Sequence, residues 1–208
     1  MLGPLHSRIV SEQDQPDLYI SADIEADGPI PGPFSMLSMG LCVTARFDGS
    51  MFTPYDPRER TFYAELKPIS DRFDSEALRV TRLDRNALAA TAETPRDAMT
   101  RAAGWVNDVA GDDRPVLVGF PASFDWMFIY WYFVNFCEQG SPFAFSSVLD
   151  MKTMYQQRAR IVVSRSGKDD LPDDLILGTQ THTHNALDDA VEQAELFVRL
   201  WDWLGDPR

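Results

Sequence analysis

The run from Leu18 to Glu25 alternates strictly, with Leu18, Ile20, Ala22 and Ile24 on one side of a strand and Tyr19, Ser21, Asp23 and Glu25 on the other. Residues two apart on a strand point the same way, roughly 7 Å apart at ~3.3 Å per residue. Asp23 and Glu25 therefore share a face, where they repel each other and are costly to bury without a cation between them. That leaves two ways to fold such a strand: the acidic face is solvated, or it meets positive charge. A hard divalent ion such as Mg²⁺ or Mn²⁺ suits oxygen donors of this kind.

Two later stretches add to the pattern. Val116 to Phe120 reads as a buried strand, followed by a helix with Ser123 as its expected N-cap. Asp125 then falls in the first helical turn, ahead of Trp126 to Val134, where every residue is apolar or aromatic. An acid there either complements the helix dipole or serves as a ligand, and its neighbours Phe124, Trp126 and Phe128 put it at the border of a core. Near the C-terminus a helix is expected from about Ala186 to Leu204. Asp188 heads a polar stripe with Glu192, Glu195, Arg199 and Asp202, and Asp189 heads an inward one with Gln193, Leu196, Leu200 and Trp203. Asp189 is thus the candidate ligand and Asp188 a surface acid. His184 lies just ahead of this helix, with His182 as a competing histidine.

The set Asp23, Glu25, Asp125, His184 and Asp189 resembles the DEDDh group of 3′–5′ exonucleases. Asp-x-Glu-x-x-Gly maps onto Asp23, Glu25 and Gly28, the second motif onto Phe124-Asp125, and His-x-Ala-x-x-Asp onto His184, Ala186 and Asp189. The segment Ser75 to Leu88 is also similar to the one that follows the third strand in that group. Four positions depart from the pattern: Pro121 replaces an Asn, Ala26 and Asp27 replace hydroxyl residues, and Arg82 stands where Gly is usual. The resemblance implies an α/β chain with the ribonuclease H-like fold, a mixed five-stranded sheet flanked by helices. It also implies two divalent cations, Mg²⁺ or Mn²⁺, held by Asp23, Glu25, Asp125 and Asp189, with Asp23 bridging them. Such a pair activates water and stabilises the attacking and departing oxygens. His184 is then the general base, so activity should rise as a histidine loses its proton.

The pattern of elements fits. After the first strand comes a turn-rich loop, Ala26 to Ser35, then a central strand, Met36 to Thr44. Phe62 to Lys67 alternates as a third strand ended by Pro68. Thr94-Pro95 opens a helix running to about Val109. A strand at Phe143 to Leu149 and a helix from Asp150 to Arg158 complete the order. No repeat or second domain is visible, so the expectation is a flexible segment, 1–16, followed by a single domain, 17–205.

With 208 residues the chain can bury a sizeable core. Met1 to Gln15 lacks the apolar run of a signal peptide, and Trp126 to Val134 is too short to span a membrane. It reads as a buried helix or a subunit interface, and a homodimer is an expectation from that helix and from the resemblance. Cys42 and Cys137 carry no metal spacing and read as packed, reduced thiols of a cytoplasmic protein.

The net charge of −13 disfavours long polyanions as partners. Arg158, Arg160, Arg165 and Lys168 form a local basic group that either holds phosphates or is a solvated loop. The balance favours short single-stranded 3′ ends, and RNA over DNA. Further candidate contacts to the terminal nucleotide are Ala26, Asp27, Phe124 and Phe34. Phe34 is the base-stacking candidate, whereas Met36 and Leu37 read as packing. The rival expectations are a DNA-directed exonuclease and a non-catalytic binding module of the same fold.

Overall fold

The computed structural model describes residues 15–176 and 184–205. The expectation for residues 1–16 therefore lies almost wholly outside the described residues, as does that for His182. Strand β1 (Asp17–Ala26) runs antiparallel to β2 (Met36–Phe47), which pairs on its other edge with β3 (Phe52–Pro54) and β4 (Thr61–Glu65). Helices α1 (Ser75–Thr81), α2 (Arg85–Thr91) and α3 (Pro95–Ala110) follow. Strand β5 (Arg114–Gly119) lies parallel to β1, and helix α4 (Ala122–Phe136) leads to β6 (Val148–Asp150), parallel to β5. Helices α5 (Met151–Ala159) and α6 (Ala186–Asp202) complete the order.

The result is one mixed sheet in the order β3-β2-β1-β5-β6, with β4 beside β2. Because β3 takes Ala45–Phe47 and β4 takes Ser38–Cys42 along one edge of β2, the six strands fill five positions across the sheet, as the resemblance implied. Strand β3, ending on a proline, is too short to alternate visibly. The strand expected at Phe143 to Leu149 shrinks to Val148–Asp150, because Ser147 N–H bonds back to Ala144 in a turn and Phe143 drops into the core.

Both faces of the sheet are covered. Leu18, Ile20, Ala22 and Ile24 pack with Met99 and Val106 of α3 and Phe128, Ile129 and Phe133 of α4. Tyr19, Val116 and Val118 pack on the other side with Met151 and Tyr155 of α5 and Leu196, Phe197 and Leu200 of α6. The inward side of α4 is thus used inside the chain, while Phe124 and Val134 stay exposed. Helix α3 begins as expected: Thr94 Oγ1 accepts the Asp97 N–H at 3.2 Å and proline occupies its first turn, a cap worth about 1 kcal/mol. Cys42 and Cys137 are buried and unpaired. Among the described residues no helix is long and apolar enough to cross a membrane.

One close approach sets the position of α6. Gly40 is the register partner of Asp23, and a Cβ there would lie 2.3 Å from the Ala186 carbonyl oxygen and 2.4 Å from the Leu187 Cα. The same face of β2 then supplies Cys42, whose thiol donates to the Ala190 carbonyl at 3.4 Å, and Thr44, whose hydroxyl donates to that of Ala194 at 3.0 Å. Ala186, Ala190 and Ala194 form the matching stripe of small residues, all buried. The start of α6 is therefore held directly over the acidic face of β1.

Candidate active site

The solvated alternative for the acidic face is excluded by that covering helix. Glu25 is 8% exposed and Asp23 only partly exposed. Asp189, in the first turn of α6, is 8% exposed, whereas Asp188 faces solvent, as the two stripes foretold. Asn185 caps this helix, its side-chain oxygen accepting the Leu187 and Asp188 N–H groups at 3.0 and 3.2 Å. One carboxylate oxygen from each of Asp23, Glu25 and Asp189 lies within 4.8 Å of the others.

Asp125 arrives from the neighbouring strand. Pairing of β1 with β5 ends at Ser21 and Val118, which leaves the edge of β1 open beyond that point. The buried Asp125 carboxylate takes up the Ile24 N–H there at 3.1 Å. The cap of α4 differs from the expectation: Ser123 lies within the helix, and Pro121, joined to Phe120 by a cis peptide, takes the cap position without a side-chain bond. Asp150 supplies the capping from outside. Its Oδ1 accepts the Ala122 N–H at 2.9 Å, and its Oδ2 accepts the Thr153 N–H at 3.1 Å, so one carboxylate serves the starts of both α4 and α5.

Four carboxylates thus meet at the C-terminal ends of two parallel strands, where open α/β sheets bind their ligands. Their protonation reflects the crowding. Burial, then repulsion from Asp125, Asp189 and Glu25, raises Asp23 well above the usual carboxylate range. Burial, then Asp189 and Asp125, pushes Glu25 up to about 8. Burial pushes Asp125 up to about 7, against the Ile24 N–H and the Lys168 charge, which both favour its anion. A multivalent cation would offset both causes, and an all-oxygen donor set fits a hard divalent ion. The residues therefore fit the implied metal.

His184 stands two residues ahead of α6, partly buried, with a left-handed backbone at φ 54°. Histidine is among the residues enriched in that conformation. The basic group is dispersed: Arg158 donates to the Trp203 carbonyl, Arg165 pairs with Asp170, and Arg160 ends α5 at φ 55°. Lys168 is the member whose charge acts on Asp23 and Asp125, while its Nζ lies 3.5 Å from Glu192.

Beside Glu25 opens a cleft of about 340 Å³ lined by Ala26, Gly28, Glu76, Val80 and Phe124, among others. Phe124 is 37% exposed there. Phe34 is half-buried against Gly28, where a Cβ would fall 2.1 Å from its ring, and Arg72 lies 5.3 Å from the ring centre. Asp27 corrects its expectation as a substrate contact, since its carboxylate is fully buried. It accepts the Ser35 N–H at 2.5 Å and the Arg85 Nε at 2.8 Å, locking the loop that ends at β2.

Sequence reasoning placed Gln193 inward but gave it no role. It is 1% exposed; its Nε2 donates to Asp23 Oδ1 at 2.7 Å and its Oε1 accepts the Phe120 N–H at 2.7 Å. The available signal was a polar residue on an apolar stripe, since buried amides are hydrogen-bonded.

Comparison with known proteins agrees with this geometry. Residues 50–201 match the model of the 3′-5′ exoribonuclease Rv2179c-like domain. The 3′-5′ DNA exonuclease Cap18 of Escherichia coli is 38% identical over 196 residues, covering 92% of this chain and 95% of Cap18. Among solved structures, the nuclease domain of 3′hExo, a DEDDh family member bound to rAMP, superposes with a TM-score of 0.65 at 15% identity, over 91% of this chain and 93% of that one. Pop2p of S. pombe, in its Mg²⁺- and Mn²⁺-bound form, gives a TM-score of 0.61 at 15% identity, over 91% and 86% of the two chains. The fold is that of the DEDDh exonucleases, and this chain belongs to the Rv2179c-like family of 3′–5′ exonucleases.

Proposed function

We propose that the protein hydrolyses single-stranded nucleic acid from the 3′ end with two divalent cations, Mg²⁺ or Mn²⁺, held by Asp23, Glu25, Asp125 and Asp189. The convergence of these four carboxylates from β1, α4 and α6 carries the reading. Bound there, the cations supply Lewis-acid stabilisation of the oxygens that attack and leave phosphorus. His184 takes the proton of the attacking water. A bond forms from water oxygen to phosphorus as the bond to the 3′ oxygen of the preceding nucleotide breaks, releasing a nucleoside 5′-monophosphate. Phe124, at the mouth of the cleft, offers a ring to the terminal base.

The substrate we favour is a short RNA end. The description of the matched family supports RNA, and the net charge of −13 supports a short strand. DNA is the second reading, favoured by the name of the relative that aligns along nearly the whole chain and by Ala26, which brings no hydroxyl to the cleft. The test is a gel time course on 5′-labelled RNA and DNA strands of matched sequence with Mn²⁺ or Mg²⁺. We expect a ladder shortening one nucleotide at a time, faster on RNA and absent with Asp23→Ala. Faster cutting of DNA would reverse the sugar assignment. No ladder on either strand would overturn the enzymatic reading.

A further inference from the structure

We infer that Gln193 is a positioning residue of the metal site, an amide brace that fixes how Asp23 presents its carboxylate. The inference rests on the reading of Asp23 as a metal ligand and extends it to a residue outside the DEDDh motifs.

The orientation of this amide is unambiguous. A backbone N–H can only donate, so the side-chain atom 2.7 Å from Phe120 N must be the carbonyl oxygen. The NH₂ group therefore faces Asp23, and its 2.7 Å contact with Oδ1 is a donated hydrogen bond. At 1% exposure, water does not compete for either bond.

The amide group that faces Asp23 has two consequences. It occupies one lone pair of Oδ1, leaving Oδ2 and the remaining lone pair as what Asp23 offers a cation. It also joins the three elements that carry the acids: α6 holds both Gln193 and Asp189, β1 holds Asp23, and Phe120 is the corner between β5 and the helix bearing Asp125. One side chain thus fixes the relative placement of the donor set. Groups that hold metal ligands in this way typically change metal affinity or activity 10- to 100-fold when removed.

The test uses the full chain and three proteins: wild type, Gln193→Met and Gln193→Glu. Methionine keeps the volume and loses both bonds. Glutamate keeps an acceptor for the Phe120 N–H but has no amide to donate to Asp23. Mn²⁺ affinity is read by calorimetry, kcat and KM on a labelled oligonucleotide at saturating Mn²⁺, and folding by thermal melts. We expect Gln193→Met to bind Mn²⁺ about 10- to 100-fold more weakly, and both variants to lose at least about tenfold in kcat with KM little changed. If Gln193→Glu keeps wild-type kcat and Mn²⁺ affinity, the amide is not what matters and the inference is wrong. A Gln193→Met protein that melts earlier yet binds Mn²⁺ like wild type would likewise reduce Gln193 to a packing role. A wild-type protein that neither binds Mn²⁺ nor cleaves would instead bring down the exonuclease reading, and this inference with it.

Discussion

The two walls beside the acidic face of β1 are built on opposite plans. On one side α6 is pressed against β1 and β2 along a seam of small residues, with Gly40, Cys42 and Thr44 meeting Ala186, Ala190 and Ala194. On the other side α1 and α2, seven residues each, have few buried side chains: Thr81 in one and Leu88 in the other. This second wall is fastened by polar contacts at its base, where Asp27 holds Arg85 and accepts the Asp74 N–H on its carbonyl at 2.7 Å. The tight wall carries carboxylates, whose placement must be exact to a fraction of an ångström for metal chemistry. The loose wall borders the cleft proposed to take the terminal nucleotide, where some adaptability costs little.

The largest test of this contrast is Gly40→Ala. Its added methyl group meets backbone, not a flexible side chain, so α6 must move away from the sheet. We expect a loss of about 3 kcal/mol, the upper end for overpacking, and a fall in Mn²⁺ affinity as Asp189 leaves its partners. Urea denaturation and calorimetry read the two effects. Wild-type stability with unchanged metal binding would show that the seam does not position the acids. No comparable change is expected from Ala77→Gly in α1, beyond about 1 kcal/mol of helix propensity.

A second test separates the walls by charge. In the metal-free protein Glu25 titrates near 8 and Asp125 near 7, and Asp23 is raised with them. Unfolding returns each to the ordinary carboxylate range near 4. Between about pH 4.5 and 8 the folded state therefore holds more protons than the unfolded one, and stability must fall as pH rises. Each extra proton contributes a slope of about 1.4 kcal/mol per pH unit. Urea titrations from pH 5 to 8 with chelator present should reveal this decline, and added Mn²⁺ should oppose it most strongly at the alkaline end. Glu25→Gln should flatten the slope. Asp125 and Asp23 keep their share of it, so only a slope left unchanged by the substitution would place the titrating groups elsewhere in the molecule.

The same contrast explains what the sequence made legible. Strict alternation in β1, the apolar run of α4 and the inward stripe of α6 are patterns along one element, and each led to its acid. Gly40 and Gln193 were not legible, because their roles exist only where three elements cross. Asp27 misled for a related reason. Its place after the motif Glu suggested a substrate contact, while its ion pair depends on Arg85, 58 positions away. Helices α1 and α2 have no apolar period to read, but their caps were visible in principle: Asp74 accepts the Glu76 N–H and Asp84 those of Asn86 and Ala87. The motif departures fared differently. Asp27 became a buried anchor, and the absence of glycine at Arg82 left a mark on the backbone.

Arg82 gives the smallest test and the one most specific to the loose wall. It ends α1 with φ 58° and ψ 13°, its N–H bonded to the Leu78 carbonyl at 3.1 Å. That left-handed geometry costs a residue with a Cβ about 1 kcal/mol or more, and glycine adopts it freely. The gain is reduced because glycine also loosens the unfolded chain. We expect Arg82→Gly to raise stability by about 0.5–1 kcal/mol in urea titrations, with Mn²⁺ affinity unchanged, since the tight wall is untouched. Arg82→Ala separates the contributions: it removes the side chain, keeps the strained backbone and should gain nothing. Equal stabilisation by both would assign the effect to the guanidinium and not to the helix end. A change in Mn²⁺ affinity with either would mean that the two walls are coupled, and that the carboxylates sense the far side of the cleft.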